Sequence, residues 1–201
     1  MKKFFLFQFF VLCTAICGAQ SSYKDSIKNY ISNYINTHEV VKGEDRKQIH
    51  FFEVNEKYRV VARFEKASTD QWFEMPTSGK IKKVFRVYGI LSFRINDTLV
   101  KLNLYQSQGL MGNDQYKNYL FLPFTDATTG VETYESGRYI DLQTSDIKNN
   151  EVVLDFNKAY NPYCAYVSGV YNCPIPPPAN HLPVAIYAGE KIYEKHLTGN
   201  K

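Results

Sequence analysis

The feature that most constrains this 201-residue chain is a hydrophobic period of two that sets in after residue 49. Tyr58, Val60, Ala62 and Phe64 alternate with Arg59, Val61, Arg63 and Glu65, the pattern of a strand with one buried and one wet face. Comparable runs predict strands over 82–95, 98–106, 119–124, 138–143, 151–156 and 184–187. Asn96-Asp97 separates two of them and suits a two-residue hairpin turn, because Asn and Asp tolerate positive φ. Short turns connect the runs, so the sheet is expected to be mainly antiparallel. The fold class predicted is mainly β: a curved antiparallel sheet or barrel-like single domain over residues 49–201. Residues 20–48 supply one amphipathic helix and a connection, since Tyr23, Ile27, Tyr30, Ile31, Tyr34 and Ile35 recur at spacings of three and four.

The first 19 residues read differently. Met1-Lys2-Lys3 is a positive start, Phe4 to Ile16 an apolar stretch, and Cys17-Gly18-Ala19 a run of small residues, which together make a secretory signal peptide with cleavage after Ala19. Thirteen apolar residues span roughly 20 Å, short of the roughly 30 Å hydrocarbon core, so no transmembrane segment is expected after cleavage. The protein is therefore expected in the periplasm or outside the cell. Loss of Lys2 and Lys3 takes the basic residues from 24 to 22 against 20 acids. A chain this close to neutral, with its charges dispersed, has no nucleic-acid footprint. Cleavage also removes Cys13 and Cys17. The remaining pair, Cys164 and Cys173, reads as a disulfide in an oxidising compartment and closes a loop of about ten residues, a constraint of about 2.7 kcal/mol in the chain-entropy model. The sharper alternative is Cys164 as a nucleophile with His181 as base, which needs a free thiolate.

Between residues 119 and 191 the polar residues become specific in type. The chain reads Gly137-Arg138-Tyr139, then Leu154-Asp155-Phe156-Asn157-Lys158-Ala159-Tyr160-Asn161-Pro162-Tyr163-Cys164-Ala165-Tyr166, then Cys173-Pro174-Ile175-Pro176-Pro177, and Ala188-Gly189-Glu190-Lys191. This ordered series resembles the bacterial domain-of-unknown-function family 1684 over roughly the last 130 residues. The resemblance implies a shared β-rich domain and a shared polar cluster, and no substrate.

The candidate ligand-binding residues are Arg138, Tyr139, Tyr134, Asp155, Asn157, Asn161, Glu190 and Lys191. Arg138 is either half of a buried pair with Asp126, Glu132 or Glu135, or a fork for an anionic ligand between tyrosine walls. Asp155, Asn157 and Asn161 suit a hydrogen-bonded loop lock better than a cation site. Glu190 with Lys191 forms an acid/base pair if both point inward, and otherwise a solvated ion pair or a structural tie to Arg138. No cofactor is expected, and the singly scattered histidines give no metal site. Three functions follow: a module binding a small molecule or envelope component in an aromatic pocket beside Arg138, a hydrolase using Glu190 or Asp155 as general acid/base, or a purely structural module.

Overall fold

The computed structural model describes residues 22–195; the expected signal segment and its cleavage point lie outside the described residues. Helix α1 covers residues 22–37. Seven strands follow: β1 (Arg59–Lys66), β2 (Trp72–Met75), β3 (Lys83–Ile95), β4 (Thr98–Ser107), β5 (Tyr119–Phe124), β6 (Arg138–Gln143) and β7 (Glu151–Asp155). A short helix α2 (Gln108–Met111) follows β4. All the strand pairs are antiparallel, in the spatial order β6-β5-β4-β3-β1-β7, with β2 beside the first residues of β3. The sheet curls into a half-barrel, as the alternation predicts. Asn96 and Asp97 close the β3–β4 hairpin at φ 46° and 62°, the left-handed pair that such a turn requires.

One irregularity lets both faces of this sheet carry apolar side chains. Along β3–β4, Val87 pairs with Tyr105 and Gly89 with Leu104, so Tyr88 is an extra residue in β3. A bulge of this kind flips the side-chain parity of its strand. Leu91, Phe93 and Ile95 beyond it join Leu102, Leu104, Leu120, Leu122, Phe124, Ile140 and Leu154 in the main core, which Phe156, Leu182, Ile186 and Ala188 cover. Phe85 and Val87 before it turn to the other face, where they meet Tyr105, Phe121, Tyr139 and Met75 in a second, aromatic cluster. Gly89 permits the tight crossing at the bulge, since a Cβ there would lie 2.2 Å from the Phe64 ring.

Two strand expectations differ from the structure. The four residues of β2 are too few to show alternation and end at Pro76, so the sequence gives no signal for them. The predicted strand at 184–187 forms no ladder, and Val184 lies in a bend. Its backbone is used otherwise: Ala127 N–H donates to the Val184 carbonyl, Ile186 N–H donates to Asp126, and the Ile186 and Ala188 carbonyls accept from Arg138.

The segment ends at Gly189, whose φ of +78° places it in the left-handed region and where a Cβ would sit 2.7 Å from the carbonyl oxygens of both Phe156 and Ala159. Gly189→Ala is expected to destabilise the fold by roughly 3 kcal/mol or more, combining backbone strain with a clash against rigid main chain. Urea unfolding of the chain from residue 20 onward checks this, and a loss below about 1 kcal/mol, the cost of ordinary surface changes, contradicts it.

Candidate functional site

Strand parity decides where the candidate residues go. Within β6, Arg138 and Ile140 face the main core while Tyr139 and Asp141 face the opposite side. Arg138 is 0% exposed. Its Nη2 donates to Asp126 Oδ2 at 2.8 Å and to the Ile186 carbonyl at 3.0 Å, and its Nη1 donates to the Ala188 and Glu190 carbonyls. The other Asp126 oxygen accepts from the Thr128 amide and hydroxyl and from Ile186 N–H. This pair staples the 186–190 segment over the core.

Glu190 is equally sealed at 0% exposure, but among the described residues no cation pairs with its carboxylate. Oε1 accepts from the Tyr166 hydroxyl at 2.6 Å, and Oε2 from the Tyr34 hydroxyl at 3.1 Å and the Asn161 amide at 2.9 Å. Burial pushes its carboxyl up to about 7, with these donors pulling the other way. Lys191 points outward, with its ammonium 4.9 Å from the Phe52 ring centre. Asp155 accepts from the Tyr23 hydroxyl with both oxygens and from Asn157 N–H, and Asn157 bonds Asn55 and Tyr23. Asn161 donates to the Lys191 carbonyl. Tyr134 stands apart in the turn before β6. Arg138, Glu190, Asn161 and Lys191 thus meet around one segment, Asp155 with Asn157 forms a second group beneath α1, and Tyr139 lies on the far face.

That far face carries a recess of about 930 Å³, within the size range of small-molecule sites. Tyr119, Phe121, Tyr139 and Asp141 form its floor, with Phe85 beside them. Tyr30 and Tyr34 of α1 line one wall, and the stretch from Tyr160 to Pro174 lines another. The Cys164–Cys173 disulfide, with 6.3 Å between its Cα atoms, ties this second wall together, as the cysteine count predicts. Tyr139 hydroxyl donates to the Pro174 carbonyl and locks floor to wall. Lys82, bound to Glu74 at 2.6 Å, and Lys83 stand at the first turn of β3.

Asp141 is the carboxylate on the floor. The Tyr119 and Tyr160 hydroxyls both donate to its Oδ1, at 2.7 and 2.6 Å. The residue stays open to water on the recess side. Protein on its other sides raises its carboxyl above the usual range, and the two hydroxyls oppose that shift. Burial above all, with neighbouring carboxylates and, for Tyr160, Tyr119 adding to it, raises Tyr34, Tyr119, Tyr160 and Tyr166 well above 10, so they remain neutral donors. His38, at the end of α1, accepts from the Val40 and Val41 amides with Nδ1; burial, then Arg46 and Lys42, lower it to about 4. Sequence reasoning missed Tyr119, Asp141 and Tyr160 as a unit. The signal available was the placement of Tyr119 and Asp141 at outward positions of two adjacent strands.

Fold and site together define a class: a curled antiparallel half-barrel with a core staple on one face and a tyrosine-lined recess on the other. The chain belongs to the family described as protein of unknown function (DUF1684), whose model matches residues 44–191. It is also similar to the solution NMR structure of an uncharacterized protein from Haloarcula marismortui, with a TM-score of 0.64 and 26% identity over 89% of this chain and 99% of that one. No curated protein matches. Among the described residues no helix is long and apolar enough to cross a membrane, and no group of three or more His, Cys, Asp or Glu is placed to hold a metal ion.

Two outcomes follow from the sealed groups. Arg138→Leu leaves Asp126 buried without its cation and is expected to cost about 3–5 kcal/mol in urea unfolding; a loss under about 1 kcal/mol refutes the staple. Glu190 titrates near 7 when folded against 4.5 for a free side chain. The folded state therefore retains a proton that the unfolded chain releases, so this stabilisation is full below about pH 4.5 and is lost as pH rises to about 7. The change amounts to about 3 kcal/mol. Glu190→Gln should remove that slope and unfold at higher denaturant than wild type above pH 7, whereas parallel stability-pH curves for the two proteins exclude it.

Proposed function

We propose that this protein is an exported binding module that holds a small organic molecule in the tyrosine-lined recess. The observation that carries the reading is the preorganised wall. Tyr34, Tyr119, Tyr139, Tyr160 and Tyr163 each spend their hydroxyl on a protein acceptor, which fixes the rings and leaves their apolar surface to the cavity. Rings already held in place lose little freedom when a ligand arrives. Of the candidate ligand-binding residues, Tyr139 also lines the recess, as does Tyr160, one of the tyrosines expected as pocket walls. Glu190 and Asp155, the carboxylates with the right chemistry for a general base, are each occupied by a phenol and sealed from the recess, so binding has more support than hydrolysis. Export rests on the sequence of residues 1–19 and sits well with the disulfide.

Gly109 gives a clean test. It lies in α2 at the recess, and a Cβ there meets nothing within 4 Å. A thermal-shift screen of small aromatic fragments on the chain from residue 20 onward should yield ligands that raise the wild-type Tm by roughly 5–10 °C at about 100-fold excess over Kd. Gly109→Trp should keep the unliganded Tm and lose the shifts. Fragments that stabilise both proteins equally place binding elsewhere and defeat the proposal.

A further inference from the structure

The floor of the recess has an asymmetry that bears on ligand chemistry. Both tyrosine hydroxyls that reach Asp141 donate to the same oxygen, Oδ1. Among the described residues no donor reaches Oδ2, and the side chain is open to the cavity. The rings around it are not parallel: Tyr160 stands at 89° to Tyr139 with 5.8 Å between centroids and at 46° to Tyr34 with 6.1 Å between them. A carboxylate oxygen without a donor, in a cavity lined by tyrosine rings, attracts a positively charged group.

The cations of the recess do not compete for this place. Asp141 pairs with Phe121, Phe121 with Tyr105 and Tyr105 with Val87, which sets the row of Asp141 across the sheet. Lys83 lies on β3, four residues from that row and three strands away, or roughly 13 Å along and about 14 Å across at ordinary strand spacings. Lys82 is held by Glu74.

Resting on the binding-module reading, we propose that the recess takes an organic ammonium, with the cationic nitrogen donating to Asp141 Oδ2 and the remainder of the molecule lying on the Tyr34, Tyr139 and Tyr160 rings. Charge and ring faces are then used together, whereas a neutral molecule of the same shape lacks the charge attraction and an anionic one is repelled.

Calorimetry with three isosteric probes tests this: phenethylammonium, 2-phenylethanol and 3-phenylpropanoate. Wild type should bind the ammonium about 10- to 100-fold tighter than the alcohol, the ratio expected for one charge-assisted hydrogen bond, and the propanoate most weakly. Asp141→Asn keeps an amide oxygen for the two tyrosines and should bring ammonium affinity down toward that of the alcohol, removing most of the wild-type ratio between them. The wild-type ranking stands as a test even where that variant fails to fold. Equal affinity for ammonium and alcohol, preference for the propanoate, or no binding by any probe overturns the ammonium assignment. Where the alcohol or propanoate binds and Gly109→Trp abolishes it, the recess remains a binding site and only the charge of its ligand has been misjudged.

Discussion

Carboxylates in this fold, whether buried or open to water, are met by phenols. Glu190 accepts from Tyr34 and Tyr166, Asp155 from Tyr23, Asp141 from Tyr119 and Tyr160, and Glu39 from Tyr163. A phenol donates a strong hydrogen bond without supplying charge, and each such bond to a charged acceptor stabilises by about 1.5–3 kcal/mol. Among the described residues no cation pairs with Glu190 or Asp141, and desolvation raises both carboxyls. Six of the chain's 16 tyrosines are used in this way.

Helix α1 is attached to the sheet by the same means. Tyr23, Tyr30 and Tyr34 fall on one helical face, since steps of seven and four residues return to nearly the same angle at 3.6 residues per turn. Their hydroxyls reach Asp155, the Lys158 carbonyl and Glu190 respectively. The aromatic stripe visible in the sequence thus does more than bury apolar area. It spans three acceptors spread along one side of the domain, so the helix is registered along its length as well as packed.

How far the sequence could go follows from what each signal encodes. The alternation of Tyr58 to Phe64, the Asn96-Asp97 turn and the isolated pair Cys164 and Cys173 are local or arithmetic signals, and sheet, hairpin and disulfide follow from them. The motif Gly137-Arg138-Tyr139 suggests a single pocket, yet neighbours in a strand point to opposite faces, and this one sends its arginine to the core and its tyrosine to the recess. Gly137 and Gly189 mark close backbone approaches, where a Cβ would lie 2.5 Å from the Phe124 carbonyl and 2.7 Å from those of Phe156 and Ala159. The recess itself was not legible. It is built by α1, the first half of β3, β5, β6 and the disulfide loop together, and it depends on the parity change at Tyr88, which no periodicity count over β3 reveals. Asp141, between Ile140 and Leu142, reads as an ordinary solvated strand residue until Tyr119 and Tyr160 are placed beside it.

Tyr34 joins the two systems. Its ring borders the recess and its hydroxyl holds Glu190. Moving α1 aside therefore enlarges the recess and at the same time strips a donor from a carboxylate that has no cation. The Tyr23 and Tyr30 bonds must break in the same motion, because all three lie on one rigid helix. The resistance to such a motion depends on the protonation of Glu190: the ionised carboxylate gains more from the phenol of Tyr34 than the neutral acid does, while its burial costs more. The balance of these two effects, a carboxyl near 7, says that burial prevails. The wall of the recess is accordingly held from behind by a group whose charge changes close to neutral pH, and it is the depth of Glu190 in the fold, more than any residue facing the cavity, that sets how firmly this wall stands.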